Sequence, residues 1–186
     1  RRVLFRSVIA EEVYRNIILA LICVFISTLF FIADMRGAII IIFCVLITLI
    51  DVGGFLHFWG ITIDTVSCNN LVIAIGLCVD YSVHVTHRFL NEQGTGNERI
   101  VSTLQNIGPA VFNGGFSTFL AFVLLAGSRS HVFSSFFKIF FLVVTLGLYH
   151  GLIFLPVILS LLGPKSHSNL RLRPHKSNAM LDATQL

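Results

Sequence analysis

LVIAIGLCVDYSVHVTHRFL, residues Leu71–Leu90, is apolar enough to lie in lipid yet carries Asp80 well inside the run, with His84 and His87 following on successive turns. A carboxylate at the centre of a membrane helix costs roughly 2.5 to 3.5 kcal/mol on insertion scales. Such groups persist where they face a bundle interior or a watery cavity and act there. At 100° per residue, Asn69, Ile73, Gly76, Asp80, His84 and His87 fall within about 40° of the Asp80 direction. One face of this helix is therefore polar and lipid-averse. A plainer reading makes Asp80 a hydrogen-bond partner for a neighbouring helix, with His84 and His87 at the headgroups.

Composition fits that stretch. Hydrophobic residues are 55% of the 186, charged residues 12%, and mean hydropathy is +0.88. A soluble domain carries about a quarter charged residues, so the chain is read as an all-α membrane protein. The net charge of +4 is not gathered into a basic tract interleaved with aromatics, and no nucleic-acid binding follows from it. Cys23, Cys44, Cys68 and Cys78 lie in or beside apolar runs with no CxxC spacing. They read as buried free thiols, with neither a disulfide framework nor a metal site. The opening Arg1-Arg2-Val3 has no signal-peptide organisation and is taken as a cut from a longer protein.

Working outward, residues 1–15 are a mixed-charge lead-in from a luminal or extracellular domain, and 16–163 hold five spans, about 16–34, 37–58, 65–90, 109–127 and 133–162. Residues 164–186 form a polar cytosolic tail expected to be disordered. The second span contains Asp51, followed by Gly53 and Gly54, where a neighbour can approach the backbone closely. Asp51 also reads as a helix-end residue reaching the headgroups. Asp64, Thr65 or Ser67 is placed to cap the central helix. The segment from Asn91 to Thr103 is the longest loop, with a short interfacial helix, and Pro109 suits the first turn of the fourth span. That span begins with Asn113, Gly114, Gly115, Ser117 and Thr118, whose hydroxyls and amide can reach the Asp80 carboxylate or merely serve helix packing. The fifth holds Gly147 and Gly151 at GxxxG spacing, with His150 between them, and Pro156 is expected to kink it.

With a cytosolic tail, five crossings put Arg36, Arg88, Arg99, Lys165, Arg171, Arg173 and Lys176 on the cytosolic side and leave Arg129 and Lys138 opposite. The positive-inside rule favours that orientation. Arg1, Arg2, Arg6 and Arg15 fall outside and weaken it, as they would beside a large translocated domain.

Three segments in order, Gly53–Leu90, Ile107–Ala126 and Ser130–Pro164, resemble the Patched-related branch of the resistance-nodulation-division superfamily, which includes Patched and the Niemann-Pick type C transporters. The resemblance covers about two thirds of the chain. It implies five transmembrane helices forming most of the second half of a resistance-nodulation-division transporter bundle, with the N-terminal half of the same protein as partner. Gly76 and Asp80 match the family's Gly-x-x-x-Asp/Glu motif, whose acid is associated with proton or sodium coupling. His84 is assigned with them, and Asp51, Asn113, Ser117, Thr118 and His150 as supporting residues. No cofactor is implied beyond the coupling proton or sodium ion.

Two functions follow. One is the membrane half of a cation-coupled secondary transporter for sterol or another lipid; the other is a sterol- or ligand-binding receptor or scaffold that regulates a signalling pathway without transport. An enzyme is not expected, because GxSxG, HExxH and phosphate-loop patterns are missing. The expected location is integral and multi-pass, in the plasma membrane or alternatively an endosomal membrane, among membrane lipids.

Overall fold

The computed structural model describes residues 2–61, 65–127 and 130–164. Among them every regular element is helical: α1 (Arg2–Ile32), α2 (Met35–Phe58), α3 (Thr65–Asn91), α4 (Gly96–Val123), a 3₁₀ turn (Leu124–Gly127), α5 (His131–Tyr149), a π-helical turn (His150–Phe154) and α6 (Leu155–Leu162). Five stretches are long and apolar enough to cross a membrane: Glu11–Ile32, Met35–Phe58, Cys68–Asn91, Gly96–Gly127 and Val132–Leu162. Of the expected caps of α3, Asp64 lies outside the described residues, as do residues 165–186 of the expected cytosolic tail, while Thr65 and Ser67 fall within α3 itself.

The connection from α1 to α2 is two residues long. Ala33 turns left-handed at φ 51°, and Asp34 caps α2 by accepting from the Gly37 N–H at 2.8 Å. The chain then reverses, and α2 packs beside α1.

The central helix is α3, which packs against α1, α2, α4 and α5. Ala74, Ile75, Val85 and Phe89 are buried along its inner side. In lipid no hydrophobic effect drives helices together, so close van der Waals approach must do so. Glycines supply that approach. A Cβ on Gly147 would come 3.2 Å from Cys78 Sγ, and one on Gly151 would come 3.1 Å from Tyr81 Cβ. The GxxxG pair thus seats the fifth span on α3, and Gly115 receives Leu148 in the same way across the α4–α5 contact. An aromatic seam completes the packing: Phe122 stacks on Phe140 at 4.0 Å, and Trp59, at the end of α2, stacks on Phe141 at 6.3 Å.

Two expectations require correction. The fourth span does not begin at residue 109, because α4 begins at Gly96, absorbs the expected loop and carries Pro109 in its interior. A capping box starts it there: the Thr95 hydroxyl accepts from the Glu98 N–H, and the Glu98 carboxylate accepts from the Thr95 N–H at 2.8 Å. Gly108 makes the internal proline tolerable, since it has no Cβ to clash with the pyrrolidine ring. The fifth span runs on as one stretch, Val132–Leu162, but not as a plain α-helix bent at Pro156. It is α5 and α6 joined by the π turn, with the Leu155 N–H donating to the His150 carbonyl and Pro156 opening α6. A proline has no N–H to offer the carbonyl four residues back, and the wider turn accommodates that loss.

At the other end of α3, Arg99 is buried. Its Nε and Nη2 donate to the Phe89 carbonyl at 3.1 and 2.7 Å, and Nη1 donates to the Pro164 carbonyl at 2.9 Å. The guanidinium also lies 3.8 Å from the Phe89 ring centroid. This clamp ties the start of α4 to the ends of α3 and α6.

Candidate functional site

Asn69, Ile73, Gly76, Asp80, His84 and His87 are all exposed, while residues on the opposite side of α3 are buried. The face picked out by periodicity is therefore the one that the other four spans leave uncovered. Asp80 and His84 line a groove of about 450 Å³ between α3 and α4, with Leu77, Tyr81, Ala110 and Thr118 around them. Asn69, Ile73 and Gly76 face a second groove of about 610 Å³ toward α1, lined on that side by Asn16 and Cys23. Among the described residues, no ion pair reaches the Asp80 carboxylate. Tyr81 is buried in the same region, with its hydroxyl near Thr118 on the far side of the groove.

The hydroxyls on α4 do not serve Asp80. Ser117 and Thr118 both donate to the Gly114 carbonyl, at 3.0 and 2.9 Å, as hydroxyls on membrane helices often do when they bond back one turn. Thr118 still lines the Asp80 groove, whereas Asn113 and Ser117 are exposed and do not line it. An alanine at Gly76 would meet nothing within 4 Å, so packing inside this chain does not require glycine there.

Asp51 and His150 are brought together, but away from Asp80. His150 is buried in the π turn, and its Nε2 lies 3.2 Å from Asp51 Oδ2. Sequence reasoning named both residues without pairing them, since the contact joins spans distant in the chain. It also missed Arg99 as a structural centre, counting it only toward orientation. The signal that could have found it was Thr95-x-x-Glu98, which predicts a helix start four residues before the arginine.

Comparison with known proteins decides the family. The family model described as AcrB/AcrD/AcrF family matches residues 3–185. The chain belongs to this family, within the resistance-nodulation-division superfamily. A Niemann-Pick type C1-related protein of Toxoplasma gondii is 35% identical over 150 residues, covering 80% of this chain and 13% of that protein. Protein patched homolog 3 of Caenorhabditis elegans is 41% identical over 150 residues, 80% of this chain and 11% of that protein. The human NPC1-like intracellular cholesterol transporter 1 is 34% identical over 156 residues, 82% of this chain and 12% of that protein. The chain thus spans roughly an eighth of the length of these relatives. The matches make it a Patched- and Niemann-Pick-related membrane protein of the superfamily.

Proposed function

We propose that this chain is the C-terminal membrane half of a cation-coupled secondary transporter for sterol or another lipid, with Asp80 as the coupling acid. One observation carries the reading: the polar face of α3, the most enclosed helix of the bundle, is the face its own neighbours leave bare. A carboxylate at that depth without a partner is costly in lipid, so the face suits either water or the N-terminal half of the same protein. In this reading Asp80 gains and loses a proton or a sodium ion, and His84, one turn further on, carries the path toward a cytosolic C-terminus. A cation descending its gradient supplies about 2.3 kcal/mol per 100 mV, enough to bias a bundle with two packings. Gly76 keeps the surface beside Asp80 low, which admits a closely approaching helix. A sterol or lipid substrate fits the cholesterol transporter named among the relatives. Placement in the plasma membrane, or in an endosomal one, belongs to the same reading.

The test is lipid export from cells expressing the full-length protein, wild type against Asp80→Asn, with and without an imposed sodium or proton gradient. Gradient-dependent export that disappears in the variant, at equal expression, supports the reading. Equal export from both, or none from either, would instead favour a receptor that binds sterol without moving it.

A further inference from the structure

The Asp51–His150 contact has a hydrogen-bonding arithmetic of its own. His150 Nδ1 lies 2.9 Å from the Leu146 carbonyl oxygen. A carbonyl only accepts, so this contact asks Nδ1 for a hydrogen. Nε2 faces a second acceptor, the Asp51 carboxylate 3.2 Å away, and a neutral ring carries one hydrogen, so in either tautomer one nitrogen turns a lone pair toward an acceptor. Two acceptors would face each other across a contact in which the His150 side chain is only 5% exposed. One additional proton on this axis converts the clash into a charge-assisted hydrogen bond.

We propose that Asp51 and His150 form a proton-binding site, separate from the Asp80 face, whose occupancy decides whether the imidazole bonds the Asp51 carboxylate and the Leu146 carbonyl at once. With the proton bound, imidazolium Nε2–H donates to Asp51 Oδ2 and ties the two elements together. When the proton leaves to solvent, the ring keeps one hydrogen, and one of its two bonds, to Asp51 or to Leu146, is lost. Access comes from the Asp51 side, where that side chain is 42% exposed and lines a shallow groove with Ile50, Gly54, Phe55 and Phe58. Asp51 lies about 10 Å along the helix from the end of α2 at Phe58, within reach of an interface through that groove.

The surroundings leave the pair alone. Cys44 of α2 directs its Sγ at the His150 carbonyl, 3.8 Å away. Cys78 and Tyr81 of α3 pack on Gly147 and Gly151 to either side. Tyr149 and Phe154 set their rings edge-on to the imidazole at 5.3 and 5.5 Å. Among the described residues, neither Asp51 nor His150 has another ion-pair partner. The π turn is a responsive place for such a site, since π turns recur where helices work rather than where they only span.

The experiment is nitrogen NMR of the full-length protein, labelled with ¹⁵N-histidine, in lipid nanodiscs. His150→Gln identifies the resonance by its loss. Wild type should show hydrogen on both ring nitrogens of a slowly exchanging histidine. In Asp51→Asn the carboxamide NH₂ can donate to the ring instead, so the same Nε2 should revert to the lone-pair signature. Asp80→Asn should leave the His150 signal as in wild type, which separates this site from the coupling acid. A wild-type ring with hydrogen on only one nitrogen even at about pH 5, the acid end of the usual histidine range, overturns the assignment without recourse to any variant. So does an Nε2 signal unchanged by Asp51→Asn.

Discussion

Arg99 and Asp80 are both charged groups near the same helix, and they sit in opposite circumstances. Arg99 is buried, with three of its nitrogens donating to backbone carbonyls and its plane resting on Phe89. Asp80 is exposed, with no cation in contact among the described residues. A charge bonded to the backbone through all three of its nitrogens holds the chain together. One left bare on the face of the innermost span is open to groups outside these helices. Burial and function part company here: the enclosed charge is architectural, and the open one is the candidate for chemistry.

The largest expected effect lies at the clamp. Arg99→Ala removes hydrogen bonds from a charged donor to Phe89 and Pro164, each worth about 1.5 to 3 kcal/mol. The bundle should lose roughly 3 kcal/mol or more, read as a lower melting midpoint by scattering or size-exclusion after heating in detergent. Arg99→Lys keeps the charge but not the fork, and should recover less than half of that loss. Gly96→Ala comes next. Its Cβ would fall 2.5 Å from the Ser160 carbonyl oxygen, so α4 and α6 must separate, at about 1 to 3 kcal/mol in the same assay. If either variant melted like wild type, the clamp would not be the architectural half of the contrast.

Smaller stability effects are expected on the open face, and they sharpen the contrast from the other side. Asp80→Asn should shift stability by no more than about 0.5 kcal/mol, as surface substitutions do, while abolishing gradient-dependent export. Gly76→Ala should be smaller still in melting, because the new methyl meets nothing within 4 Å, yet it should slow export by obstructing an approaching helix. A large loss of stability from Asp80→Asn would place that residue in the same class as Arg99.

Much of this arrangement is legible in the residues. The apolar runs give the spans because hydrocarbon thickness fixes helix length, and the polar face follows from a 3.6-residue period. The internal Pro109 is hidden because the rule favouring proline in a first turn competes with a capping box at Thr95, and the box wins. The π turn is hidden because its cause, Pro156, reads equally as a kink. The pairing of Asp51 with His150 and the bonds of Arg99 are fixed by contacts between distant spans, which periodicity along one helix does not encode.

Trp59 is the only tryptophan in the chain, and it stacks on Phe141 where α2 meets α5. These are the two helices whose spans hold Asp51 and the turn bearing His150. These 186 residues therefore carry an intrinsic optical gauge for that junction: changes in the emission of their one indole follow the distance between two helices, with no label attached.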